Sequence, residues 1–170
     1  MQKVTVKIKG IAPLLVHKFM EQKDDEARQK DQVYDPVEDA EKALYKNKSG
    51  CFAPSTWIEA CLRDTAKTFK KGRGSLKNVF LSSVFIDPDE IPLNKKTYDE
   101  IDKRPVVIQR NRIVRSRPKF NTWELEFSIN YDETRLPKNT LKQVLEEAGQ
   151  TKGIGDYRPK FGRFEVVKFA

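Results

Sequence analysis

Nine consecutive residues, Trp123 to Tyr131, are alternately apolar and polar (WELEFSINY). Successive side chains of a β-strand point to opposite faces of the sheet, so this pattern predicts a strand with one buried and one solvent-facing side. A half-buried strand needs other elements to cover its apolar face. The pattern therefore favours a layered fold that combines strands with helices.

Other segments show the periods of further strands and helices. Additional strands are predicted at residues 4–8, 79–86 and 163–169, and helices at 37–46, 57–69 and 137–148. Thr56 and Glu59 have the spacing of a capping box at the start of the second helix, and Gly149 is expected to cap the end of the third.

The main elements follow the order strand, helix, strand, strand, helix, strand. This order predicts the α+β class and a ferredoxin-like, RRM-like plan (βαββαβ), in which two helices cover one face of a four-stranded antiparallel sheet. Residues 1–170 are expected to form a single domain. Two insertions interrupt the plan: an acidic one at 21–49 after the first strand, and a basic one at 87–120 between strands two and three.

Charge is distributed unevenly along the chain, which carries a net +8 overall. Residues 21–41 contain nine acids and three bases, whereas residues 103–119 contain seven bases and no acid. A concentrated basic surface attracts polyanions by releasing their condensed counterions, and arginine suits phosphates because its planar group can form paired hydrogen bonds. The run therefore favours nucleic-acid binding by a basic arm; a solvated, solubilising surface is the alternative.

The segment after the last predicted helix combines glycines, bases and aromatic rings. Glycine permits positive φ and close backbone approach, so Gly153 and Gly155 could face an anion, while Tyr157 and Phe161 offer rings for base stacking. A plain turn with both rings in the core is the alternative. Because Gly155 lies outside the predicted helices and strands, a side chain at this position should lower the stability of the fold only modestly. The predicted nucleic-acid-binding residues are Lys152, Gly153, Gly155, Tyr157, Arg158, Lys160 and Arg163 in this loop, and Arg110, Arg112, Arg115, Arg117 and Lys119 in the arm.

Three stretches resemble the RAMP superfamily, the ferredoxin-like backbone subunits and crRNA-processing enzymes of CRISPR systems. They are GIGDYRPKFGRFEV, FAPSTWIEACLRDTAK and RSRPKFNTWELEFSINYD. The resemblance implies that the first stretch is the glycine-rich loop of that superfamily and that residues 87–120 correspond to the β-hairpin "thumb" of its backbone-subunit branch. It fits either a CRISPR subunit or a stand-alone or mobile-element relative.

Few residues are candidates for catalysis. His17 is the only histidine, and the RAMP resemblance implies a catalytic role for a histidine in this region, with Lys18, Tyr34 or Tyr45 nearby. A histidine that is packed or hydrogen-bonded beside Leu14, Leu15 and Phe19 is the alternative. The same resemblance points to target-RNA cleavage by an acid after the first strand, for which Asp24, Asp25, Asp31 and Asp35 are candidates by location; a solvated acidic loop is the alternative. Metal-ligand spacings and nucleotide-cofactor motifs are absent from the sequence, so neither a metal nor a cofactor is expected.

The leading expectation is a protein that binds RNA or single-stranded DNA without sequence specificity and forms homo-oligomers, or assembles with related subunits, along the strand. The acidic and basic runs would then meet between neighbouring copies. An endoribonuclease that uses His17 and a protein-interaction or inhibitor module are the alternatives. Two cysteines and the lack of a long apolar run predict a reduced, cytoplasmic protein without membrane contact.

Overall fold

The computed structural model describes residues 1–18, 34–108 and 110–170. The strands in these residues are β1 (Gln2–Gly10), β2 (Leu14–Leu15), β3 (Lys46–Asn47), β4 (Gly50–Pro54), β5 (Lys70–Lys71), β6 (Gly74–Ser75), β7 (Val84–Asp87), β8 (Glu90–Pro92), β9 (Glu100–Ile108), β10 (Asn111–Phe120), β11 (Glu124–Tyr131) and β12 (Phe164–Phe169). The helices are α1 (Pro36–Lys42), α2 (Ser55–Ala66), α3 (Lys77–Ser83) and α4 (Lys138–Thr151). None of these helices is both long enough and apolar enough to span a membrane.

The largest sheet has four antiparallel strands in the order β12-β1-β11-β7. The alternation predicted for β1 and β11 is confirmed, because Val6 pairs with Phe127 and both are buried, whereas the flanking lysines and glutamates of the two strands face outward. α2 packs against α4 and β7, and α4 packs against β12. The buried sides of both helices join the apolar side of the sheet in one core.

The ferredoxin-like plan of one four-stranded sheet and two helices is wrong for this chain. The described residues form twelve strands in four separate sheets, together with four helices. The three smaller sheets have the strand orders β2-β10-β9, β3-β4-β8 and β5-β6. Most of their strands are two to five residues long, which is too short to show an alternating pattern. The mixture of elements is consistent with the α+β class.

The apolar run 79–86 is not a single strand as predicted. Its first half belongs to helix α3, and strand β7 begins only at Val84. Phe80 and Ser83 are buried, whereas Leu81 and Ser82 between them are exposed, which is the spacing of a helix rather than a strand. A short apolar run gives no period that distinguishes the two structures.

Two predicted helix ends are also wrong. Helix α2 begins at Ser55 after Pro54, and no side chain caps it, so Thr56 and Glu59 form no capping box. Gly149 lies inside α4, where a Cβ atom would stand 2.3 Å from the Phe164 carbonyl oxygen. This glycine therefore lets α4 approach β12 closely instead of ending the helix. Helix α1, predicted at 37–46, spans Pro36–Lys42.

Candidate nucleic-acid interface

The antiparallel hairpin β9–β10 supplies most of the predicted basic arm. On one side its base contacts α1, where the Ser116 N–H donates to Asp39 Oδ2 at 2.8 Å and the Ser116 hydroxyl is hydrogen-bonded to Tyr34. On the other side it contacts the loop that follows α4. The base of the hairpin is therefore packed on both sides, and its basic residues differ in exposure.

Arg115 and Arg117 lie inside the molecule rather than on its surface. They are only 6 % and 7 % exposed, so the prediction that both lie on a nucleic-acid-binding surface is wrong. Arg117 Nε forms an ion pair with Asp156 Oδ2 at 2.5 Å, and so connects the hairpin to the loop after α4. A carboxylate beside a buried guanidinium offsets the cost of removing the charge from water, which is why Arg117 tolerates the interior.

The other arm residues lie nearer the surface. Arg110 and Arg112 are exposed at the turn of the hairpin, where Arg110 adopts a positive φ of 70°. Lys119 is half-buried and donates to Glu100 Oε2 at 2.9 Å, and this hydrogen bond lowers the pKa of Glu100. Of the five residues predicted for the arm, Arg110 and Arg112 are thus the two that are exposed and have no ion pair among the described residues.

The glycine loop, residues 152–163, uses its glycines to fold back on its own chain. The Gly153 N–H donates to the Ala148 carbonyl at 2.9 Å, and Ile154 N–H donates to the Gly162 carbonyl at 2.9 Å. Gly155 has φ +78°, and a Cβ atom there would stand 2.5 Å from the Leu15 carbonyl oxygen. The close approach predicted for a phosphate is therefore an approach to neighbouring backbone. A side chain at position 155 should consequently destabilise the fold, contrary to the prediction.

An open cleft of about 620 Å³ lies between this loop and the C-terminal ends of α2 and α4. Lys67, Lys152 and Arg158 supply its cations, and Asp64 and Asp156 supply its carboxylates. Its remaining lining residues are Thr151, Gly155, Tyr157 and Pro159. We call this feature the cationic cleft. The sequence predicted Lys152 and Arg158 for it but missed Lys67.

Both carboxylates of the cationic cleft already have cationic partners. Asp64 Oδ1 lies 2.7 Å from Lys67 Nζ, and the hydrogen bond from Lys67 lowers the pKa of Asp64. Asp156 is paired with the buried Arg117. By contrast, Lys152 is exposed, and Arg158 donates only a long hydrogen bond of 3.4 Å to the Gly153 carbonyl. Within the described residues, neither of these two cations has a carboxylate partner.

Tyr157 and Phe161 differ in their exposure. The Tyr157 side chain is 50 % exposed beside the cationic cleft, whereas Phe161 is only 7 % exposed. Their ring centres are 6.1 Å apart in an edge-to-face arrangement. The guanidinium carbon of Arg104 lies 4.8 Å from the Tyr157 ring centre and 5.0 Å from that of Phe161. Only Tyr157 thus has a ring accessible for stacking. Arg104 is one of the bases of 103–119, but the sequence did not predict its contact with these rings.

The last two predicted loop residues lie on different parts of the loop. Lys160 is exposed, with its Nζ 6.0 Å from the Phe161 ring centre. Arg163 is half-buried, and its carbonyl accepts hydrogen bonds from the N–H groups of Ile11 and Ala12. Neither lines the cationic cleft, so the structure brings Lys152, Gly155, Tyr157 and Arg158 together there and leaves Lys160 and Arg163 outside it.

The candidates for catalysis are dispersed. His17 is half-buried, with its Nδ1 atom inside the molecule, and Lys18 Nζ lies 6.0 Å from the Tyr45 ring centre. Asp35 caps helix α1 by accepting from the Val37 N–H at 2.9 Å, which gives it a structural role. Asp24, Asp25 and Asp31 lie outside the described residues. Within residues 1–18, 34–108 and 110–170, no group of three or more His, Cys, Asp or Glu is placed to hold a metal ion.

The chain matches no model of a known protein family, and no curated protein sequence matches it significantly. The resemblance to the RAMP superfamily therefore stays a prediction, and the features that bear on function are the cationic cleft and the exposed turn of the hairpin.

Proposed function

We propose that this chain binds the phosphate backbone of RNA or single-stranded DNA without sequence specificity. The observation that carries the proposal is the cationic cleft, in which Lys152 and Arg158 have no carboxylate partner among the described residues. The glycine loop supplies this surface, and Arg110 and Arg112 at the hairpin turn extend it as a basic arm.

The charge arrangement of the cleft favours an anionic ligand over a cationic one. Its two carboxylates are engaged by Lys67 and Arg117, so they contribute little repulsion towards a phosphate. Exposed, unpaired lysine and arginine side chains bind phosphates by releasing condensed counterions, and such binding weakens steeply as salt increases. The open shape of the cleft also suits a long chain that passes through it.

The proposal includes assembly along the strand and a RAMP-like role. The basic run 103–119 of one copy would contact the acidic residues 21–41 of the next, which is a head-to-tail contact that propagates. We also place the protein in the cytoplasm, where the free thiols of Cys51 and Cys61 would stay reduced.

The salt dependence of binding tests the proposal. Fluorescence anisotropy with a labelled single-stranded oligonucleotide, between about 50 and 200 mM salt, gives the slope of log K against log salt. The Lys152→Ala/Arg158→Ala double variant should flatten that slope by about 1.4, since each lost contact on a single strand contributes about 0.7.

A matched control removes the same charge elsewhere. Lys46 and Lys48 are exposed in the β3–β4 hairpin, which leads into the N-terminal end of α2, whereas the cationic cleft lies at its C-terminal end. These ends are about 18 Å apart. Lys46→Ala with Lys48→Ala should leave the slope unchanged. Equal effects of the two double variants, or affinity that does not depend on salt, would reject the proposal.

A further inference from the structure

We infer that the cationic cleft accepts one unpaired nucleotide, with its base against the Tyr157 ring and its phosphate at Lys152 and Arg158. This inference rests on the proposed function and specifies its ligand. It requires a single strand with accessible bases, whereas the proposed function alone requires only a phosphate backbone.

The backbone of the glycine loop holds Tyr157 beside the cleft in an unusual conformation. Tyr157 has φ +55°, a left-handed conformation that costs a non-glycine residue free energy. The Phe161 N–H donates to the Tyr157 carbonyl at 3.2 Å and so closes a tight turn around this position. Despite this cost, the ring stays half-exposed instead of entering the core. The turn therefore presents an aromatic surface to the cleft.

Arg104 of the hairpin contacts the same ring. Its Nε and Nη2 atoms donate to the two carboxylate oxygens of Asp102 at 2.7 and 3.1 Å, which fixes the guanidinium beside both the Tyr157 and the Phe161 ring. A cation against an aromatic ring is an attractive contact, so Arg104 restrains Tyr157 without a covalent link. Tyr157 remains half-exposed and lines the cleft.

Cations that can bind the phosphate of a stacked nucleotide line the same cleft as Tyr157. Arg158 follows Tyr157 directly in the chain, and Lys152 lines the same cleft. The volume of about 620 Å³ falls within the range of pockets that hold small organic ligands. Bases inside a duplex are stacked on each other and cannot reach an aromatic ring, whereas bases of a single strand can.

Binding of three oligonucleotides to three proteins tests the inference. The oligonucleotides are a single strand, the same strand with abasic sites, and its duplex; the proteins are wild type, Tyr157→Ala and Tyr157→Phe. All three side chains have a Cβ atom, so the strain at φ +55° is matched. Tyr157→Ala should weaken single-strand binding about 5- to 150-fold, the range that one base–aromatic stack contributes, with no change of salt slope. Tyr157→Phe should bind like wild type, and the abasic strand should bind wild type and Tyr157→Ala equally.

A fluorescence measurement guards against loss of folding in the alanine variant. Tyr157→Trp places an indole at the cleft, and the single strand should quench its emission while the abasic strand should not. Unquenched emission in a protein that binds the strand overturns the inference, as does duplex binding as tight as single-strand binding. If either of these two results is found but the protein binds heparin in a salt-dependent way, the inferred nucleotide site is wrong and the proposed phosphate-backbone binding is retained. Absence of salt-dependent binding to any polyanion rejects both.

Discussion

Replacing Gly155 with alanine should destabilise the fold much more than the same replacement at Gly72. Both glycines have positive φ, +78° at Gly155 and +61° at Gly72, so alanine meets the left-handed conformation at both positions. At Gly72 a Cβ atom would have nothing within 4 Å. At Gly155 it would stand 2.5 Å from the Leu15 carbonyl oxygen and 2.7 Å from Leu14 Cδ1. The pair of variants therefore separates backbone strain from steric overlap.

The magnitude follows from these two contributions. An L-residue in the left-handed conformation costs about 1–2 kcal/mol, which is the whole expected cost of Gly72→Ala. Overpacking adds about 1–3 kcal/mol at Gly155. The Leu15 carbonyl cannot simply move away, because it accepts a hydrogen bond of 2.9 Å from the Asp156 N–H. Gly155→Ala should therefore lower the free energy of unfolding by about 2–5 kcal/mol.

Urea denaturation of wild type and both variants measures the two costs. The denaturant dependence should be equal in all three proteins, so that the midpoints report stability alone. Equal losses at Gly155 and Gly72 would refute the close packing of the glycine loop on residues 14–15. A loss at Gly155 below about 1 kcal/mol would refute it as well, because the strain alone costs that much.

Three further predictions concern the core, a buried hydrogen bond and the hairpin turn. Burial raises the pKa of the Cys61 thiol to about 12, so iodoacetamide should alkylate Cys61 only after unfolding. The free energy of unfolding should fall as pH rises above 9.0, because the thiol of the unfolded chain ionises first. Alkylation of Cys61 in the folded protein would contradict its burial. Trp123→Phe removes the Nε1–H donation to the Ala12 carbonyl at 2.8 Å and should cost about 1–3 kcal/mol in urea denaturation, so an unchanged midpoint would refute that contact. Arg110→Ala with Arg112→Ala should flatten the salt slope of binding by about 1.4 on every sequence tested, and an unchanged slope would mean that the turn contacts no phosphate.

The sequence predicted those elements whose period is repeated several times. β1 and β11 have eight or more residues, and their alternation survives in the structure as one buried and one exposed face. α4 buries the apolar residues predicted for one face, Leu141, Val144, Leu145 and Ala148. Strands of two residues, such as β5 and β6, are too short to show a repeated pattern, and they depend on contacts made in the folded chain. This is why the four separate sheets could not be read from the pattern.

The candidate site was predictable only where residues adjacent in sequence form it. Tyr157 and Arg158 lie in one loop whose composition indicated binding. Arg115 and Arg117 belong to a run of bases, and a run of charge normally indicates a solvated surface. Buried Arg117 is paired with Asp156, nearly forty residues away, so no local pattern could show this contact. Lys67 reaches the cleft for the same reason, because helix packing brings the end of α2 to the end of α4.

Mapping the bound strand onto the protein by backbone amide NMR tests the central claim most directly. On titration with a single-stranded oligonucleotide, the largest shift changes should occur at residues 152–158 and at Lys67, around the cationic cleft. Smaller changes should occur at Arg110 and Arg112, and residues 46–51 should stay unchanged. Shift changes concentrated at residues 46–51, or the same changes in the Lys152→Ala/Arg158→Ala variant as in wild type, would contradict the assignment of the cleft as the nucleic-acid interface.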